Sequence, residues 1–216
     1  MRLYLSSYKL GNFSDELAKL VGNNKRVAVI ANSRDGKSDK ERAAKSLEEQ
    51  IEILNSLGFS AEELDLRKYF GKSEALKEHL AGFGLVWVLG GNSFVLKRAY
   101  EQSGFDLVIK KMLAEDEIVY AGYSAGVVIL SPTMKGLEIV DDPNIVPKGY
   151  SSEFSWQGLN LVKYSIAVHY RSDHPESEAV EKEVEYYEQN KIPYKTLSDG
   201  EAIVVNGDKE KIFRNK

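Results

Sequence analysis

The segment Gly122-Tyr123-Ser124-Ala125-Gly126 has the spacing Gly-x-Ser-x-Gly. That spacing suits a nucleophilic serine when a strand turns directly into a helix. The turn forces the serine backbone into a strained conformation, and small flanking residues let neighbouring backbones approach. The hydroxyl is lifted above the sheet, and the first N–H groups of the helix point toward any oxyanion formed there. Apolar Ile118-Val119-Tyr120-Ala121 precedes the motif and helix-like Val127-Val128-Ile129-Leu130 follows it, so the setting is right. The competing reading is a tight strand-to-helix turn with no chemistry.

A second glycine-bearing segment, Leu89-Gly90-Gly91-Asn92-Ser93-Phe94, also sits where a strand ends and a helix begins. Its exposed N–H groups could complete an oxyanion hole with that of Ala125. It has neither the Gly-x-Gly-x-x-Gly spacing nor a Walker lysine, which argues against a nucleotide. A serine nucleophile needs a base, and the chain has three histidines, His79, His169 and His174. His79 falls on a charged helical pattern. His169 follows the apolar run Val162–Val168 and is the preferred base, with His174 in reserve. The imidazole needs an orienting acid. Glu138, Asp141 and Asp142 lie between serine and histidine, and spacing alone does not choose among them.

The elements that must hold these residues can be read from periodicity. Short apolar runs at Arg2–Ser6, Arg26–Ala31, Gly84–Leu89 and Ile118–Ala121 read as buried parallel strands, with Ala61–Leu66 a weaker one. Between them Asp39–Leu57, Ser73–Leu80, Asn92–Gln102 and Phe105–Ala114 read as helices, and Ala125–Leu130 as the start of another. Met134–Gln157 is rich in Gly, Pro, Asp and Ser and reads as an irregular excursion able to close over the site. Val162–Val168 reads as a strand and Glu176–Gln189 as a helix. Ala202–Val205 and Lys211–Phe213 read as a hairpin around Asn206-Gly207. This alternation predicts one α/β domain over residues 1–216, a mostly parallel sheet with helices on both faces, whose active site lies at the carboxyl ends of the strands.

Composition narrows the function. A net charge of −4 over 216 residues offers no basic stripe for nucleic acid. The absence of cysteine removes disulfides, thiolate metal sites and cysteine nucleophiles. With no signal-like start and no apolar run of membrane-spanning length, the sequence predicts a cytoplasmic protein. No metal or organic cofactor is implied. The expected partner is a small peptide substrate, with no nucleic acid and no membrane, and self-association is left open.

The two glycine motifs in this order, followed by a strand ending at His169, resemble the aspartyl dipeptidase (dipeptidase E) family of serine peptidases, relatives of cyanophycinase. The likeness runs from Arg2 to about Val205. It implies a class I glutamine-amidotransferase-like α/β fold and hydrolysis through an acyl-serine intermediate. By this resemblance Ser124 is nucleophile, His169 base, and Gly91 and Ala125 the oxyanion donors. Asp142 best matches the family's acid, with Asp141 next, and Asn92 and Arg171 are candidate substrate contacts. The Ser124-to-His169 interval is longer than in the dipeptidase itself. The family's arginine-bearing segment after the histidine, tied to recognising an amino-terminal aspartate, has no clear counterpart. An esterase of the α/β-hydrolase type, or a non-catalytic binding protein on the same fold, are the alternatives.

Overall fold

A strand with apolar side chains on both faces needs cover on both sides of its sheet, and the computed structural model, which describes residues 1–215, has that cover. The strands are β1 (Arg2–Ser6), β2 (Arg26–Ile30), β3 (Ser60–Glu63), β4 (Leu85–Val88), β5 (Val119–Tyr123), β6 (Ser165–Ala167), β7 (Tyr194–Thr196), β8 (Ala202–Asn206) and β9 (Lys209–Phe213). The helices are α1 (Ser14–Val21), α2 (Lys40–Ser56), α3 (Ser73–Leu80), α4 (Ser93–Ser103), α5 (Phe105–Ala114), α6 (Ala125–Val128) and α7 (Ser177–Gln189). Seven strands form one sheet in the order β3-β2-β4-β5-β1-β8-β9. The first five are parallel, and β8 and β9 add an antiparallel edge.

Alternation across the pleat divides the core in two. Leu3, Leu5, Ala28, Ile30, Val86 and Val88 face α3, α4 and α5. Tyr4, Val27, Val29, Leu85, Trp87 and Ala121 face α1 and α2 on the other side. The central strands, buried on both faces, are thus the continuous apolar runs in the sequence. Helix α2 begins at Asp39, whose carboxylate accepts from the Arg42 N–H, and stops before Gly58 at φ 84°, a backbone only glycine adopts freely.

The structure departs from expectation at four places. Helix α1 is additional: a helix of eight residues whose N-cap, Phe13, makes no side-chain cap although Asp15 and Glu16 occupy its first turn. The expected Val162–Val168 strand is only β6, and it lies outside the main sheet, paired in parallel with the unanticipated β7. The helix after Ser124 is the single turn α6, because Pro132 follows closely. The 134–157 excursion is irregular as expected but is pinned down. The buried Arg98 guanidinium on α4 donates to the carbonyls of Pro143, Ser151 and Ser152, and the Tyr150 hydroxyl bonds Asp35. Among the described residues, no helix is long and apolar enough to cross a membrane.

Candidate active site

Strand β5 runs into α6 with no intervening loop, and Ser124 absorbs the change of direction at φ 51°, ψ −119°. A non-glycine residue there costs about 1–3 kcal/mol, so its surroundings must impose it. A Cβ on either Gly122 or Gly126 would stand 2.6 Å from the Val88 carbonyl oxygen of β4, so both elbow glycines are fixed by close packing on one neighbouring strand. The Ser124 N–H donates to the Ser7 carbonyl at 3.2 Å, and the Ser124 carbonyl accepts from Val127 and Val128 at 2.7 and 3.1 Å. Between Ile118 and Ser131, Ser124 alone is not buried.

The Gly90-Gly91 segment lies directly against this elbow. A Cβ on Gly90 would come within 2.9 Å of the Ser124 Cβ. Gly91 has φ 155°, and a Cβ there would stand 2.6 Å from the Ser33 carbonyl oxygen. A 3₁₀ turn at Asn32–Arg34, after β2, supports the segment from behind. The Ser33 hydroxyl bonds the Leu89 and Gly90 carbonyls. Arg34 donates to the Gly90 carbonyl at 2.8 Å and the Tyr123 hydroxyl at 2.7 Å. Among the described residues, the N–H groups of Gly91 and Ala125 donate to no protein acceptor, as an oxyanion hole requires.

His169 follows β6 at φ 58° and is 1% exposed. Its Nδ1 is 2.7 Å from Asp199 Oδ1. Asp199 is in the turn before β8, beyond the histidine in sequence, and none of the three expected acids occupies this place. Asp142 accepts from the backbone and side chain of Asn144. Asp141 accepts from the Ser93 N–H at 2.8 Å, and Glu138 from Gly136. The first N–H groups of α4 lack intrahelical partners, and the Asp141 carboxylate takes up that of Ser93. Ser7, just past β1, joins the parts. Its hydroxyl accepts from the His169 N–H at 2.8 Å and donates to Asp199 Oδ1 at 2.8 Å, while its carbonyl holds the Ser124 N–H. Burial alone would raise the Asp199 carboxyl; the hydrogen bond and charge of His169, with the Ser7 hydroxyl, hold it below its usual value.

His174 lies parallel to His169, with ring centroids 3.7 Å apart and planes 6° apart. Burial, then the neighbouring His169, lowers its basicity. Glu176 Oε2 is 3.9 Å from His169 Nε2 and 4.0 Å from His174 Nδ1. His169 Nε2 is buried and, among the described residues, has no hydrogen-bond partner. Tyr8 meets His169, His174 and Tyr123 edge-on. Burial raises the Asp141 carboxyl to about 6. The expected substrate contact Asn92 has its side chain engaged within the protein: the Oδ1 caps α4 by accepting from Phe94 and Val95, and the Nδ2 donates to the Asp142 carbonyl. Arg171 is exposed, with its guanidinium over the Tyr170 ring. His79 is on the outer face of α3 beside Tyr69 and Phe83.

Sequence reasoning missed Ser7, Arg34 and Asp199. Ser198-Asp199-Gly200 reads as an ordinary turn, and only the strand order brings it to the histidine.

The model of Peptidase family S51 matches residues 5–213. An uncharacterized peptidase of Listeria monocytogenes is 32% identical over 157 residues, 71% of each chain. A Drosophila melanogaster protein named as a probable alpha-aspartyl dipeptidase is 29% identical over 164 residues, 73% of this chain and 62% of the fly protein. The crystal structure of a provisionally named peptidase E protein from Listeria monocytogenes EGD-e superposes with a TM-score of 0.77 at 26% identity, covering 100% of this chain and 98% of that one. With the family model matching nearly its whole length, this chain belongs to peptidase family S51 and is a serine peptidase.

Proposed function

We propose that the chain hydrolyses short peptides through an acyl-Ser124 intermediate, with His169 as general base, Asp199 orienting it, and Gly91 and Ala125 as the oxyanion donors. The observation that carries this is the strained Ser124 packed on the Gly90-Gly91 loop and joined through Ser7 to the His169–Asp199 pair. With Nδ1–H held by Asp199, the Nε2 lone pair takes the serine proton as Oγ attacks the scissile carbonyl. The carbonyl oxygen becomes an oxyanion facing the two N–H groups. His169 then delivers the proton to the leaving amine, and water releases the acyl group by the same steps.

The preference for an amino-terminal aspartate belongs to the same proposal. It is supported by the printed name of the fly relative, with Arg171 as the guanidinium meeting the substrate carboxylate, for which its planar fork is suited. The test compares Asp-Leu with Ala-Leu hydrolysis and fluorophosphonate labelling in wild type and Ser124→Ala. Hydrolysis and labelling are expected in wild type and lost in the variant. Turnover that survives Ser124→Ala overturns the serine assignment. Equal rates on the two dipeptides remove the acidic preference, and a ratio unchanged by Arg171→Ala removes Arg171 from it.

A further inference from the structure

The proton-accepting edge of His169 is also the edge of a three-residue ligand set. His169, His174 and Glu176 each offer one ligand atom, and these atoms lie within 4.8 Å of one another. Nothing in the serine mechanism requires Glu176 3.9 Å from the base nitrogen. Nor does it require a second imidazole stacked on the first. We propose that His169, His174 and Glu176 bind a zinc-like divalent cation, and that this ion reversibly blocks the peptidase by occupying His169 Nε2. The statement that it blocks hydrolysis rests on the peptidase reading above; the binding site itself does not.

Four observations carry the site. First, His169 Nε2 is buried and unpartnered, so a lone pair already stripped of water awaits an acceptor of electrons. Second, Asp199 on Nδ1 at 2.7 Å fixes the tautomer that leaves this lone pair at Nε2, the carboxylate–histidine arrangement that orients metal-bound imidazoles. Third, two imidazoles and a carboxylate are the donor set of three-ligand zinc sites that keep a fourth position open; magnesium and calcium prefer oxygen ligands. Fourth, Glu176 Oε2 is almost equidistant from the two rings, so one small movement brings it to an ion between them. The rings are parallel, and an ion in the plane of one cannot lie in the plane of the other. His174 must therefore turn out of the stack. It lies in the polar segment before α7, and its Nδ1 is engaged there by one hydrogen bond, from the Glu176 N–H at 3.2 Å, so the turn breaks little.

The ion and the catalytic proton need the same lone pair, so occupancy and turnover exclude each other. The experiment titrates zinc chloride by calorimetry into Ser124→Ala, which leaves the ligands intact without needing activity, and into Glu176→Gln/His174→Ala. The expected result is saturable binding of one ion per chain at micromolar zinc in the first. The double variant should bind at least about tenfold more weakly while its melting temperature is kept, and magnesium chloride should give no saturable heat. In the wild-type enzyme, zinc should stop dipeptide hydrolysis and a chelator should restore it. Absence of saturable zinc binding to Ser124→Ala, or equal affinity in the double variant, overturns the site. Bound zinc that leaves hydrolysis running overturns the inhibitory role. A wild type that binds zinc but hydrolyses no peptide in its absence rejects the peptidase reading and leaves the metal site standing.

Discussion

Replacing Ser7 by alanine tests the connection between nucleophile and base with the loss of one oxygen atom. Ser7 is fully buried, and its hydroxyl makes two bonds of 2.8 Å, one accepted from the His169 N–H and one donated to the Asp199 carboxylate. An unsatisfied buried N–H costs about 1–3 kcal/mol, and a lost hydrogen bond to a charged acceptor about 1.5–3 kcal/mol. The hole left is too small for a bridging water, so the two losses combine to about 3–5 kcal/mol. For a chain of this length that lowers the melting temperature by roughly 10 °C. The backbone contact from the Ser7 carbonyl to Ser124 survives, so the elbow keeps its shape while the histidine and its acid lose their common anchor. The rate should fall by about ten- to a hundredfold, mostly in kcat, since the imidazole is misplaced in the transition state and substrate binding is left intact. Denaturant unfolding with unchanged slope, together with steady-state kinetics on one dipeptide, measures both. A variant within about 0.5 kcal/mol of wild type and within twofold in kcat would refute the claim that Ser7 couples the two halves of the site.

Asp199→Asn should lower kcat by about three orders of magnitude or more, through loss of the correct tautomer. Asp142→Asn should stay within a few-fold of wild type, and steady-state kinetics showing the reverse would return the acid to the 134–157 segment. Glu183, buried on α7 with the Tyr187 hydroxyl at 2.5 Å, is pushed up by burial to about 8 from an ordinary 4.5. A carboxyl raised in the folded state destabilises the fold progressively as pH rises from 4.5 to 8, reaching about 5 kcal/mol above that window. Glu183→Gln should therefore be more stable than wild type at pH 8 by roughly 4 kcal/mol and nearly equal to it at pH 4.5; identical melting curves at both pH values would count against this burial.

The legible parts of the site were those written in consecutive residues. The elbow and the Gly90-Gly91 turn each combine strand, glycine and helix within a few positions, and the structure places them against each other. His169 was legible because an apolar run ends beside it, although that run is a short strand outside the main sheet. Asp199 was not, because it lies 30 positions beyond the histidine it meets, outside the serine-to-histidine interval where the acid was expected, and its own neighbourhood looks like a turn. Asp141 and Asp142 misled because they lie between serine and histidine, whereas the N-terminus of α4 makes the stronger local demand on their loop. Asn92, named as a candidate substrate contact through the resemblance, is the cap of α4. Helix α1 had apolar Leu17, Leu20 and Val21 at helical spacing and an acidic first turn at Asp15 and Glu16, but at eight residues it is too short for periodicity to stand out.

Strand β1 lies between β5 and β8, so Ser7 at its end meets one segment from mid-chain and another made much later. At synthesis rates of about 5–20 residues per second, the ribosome passes Ser124 several seconds before it reaches Asp199. Throughout that interval the nascent chain holds Ser124 without the carboxylate that meets His169 in the finished fold. If Asp199 orients the base as proposed, the pair is complete only once β8 lies beside β1 and the turn carrying Asp199 has reached His169.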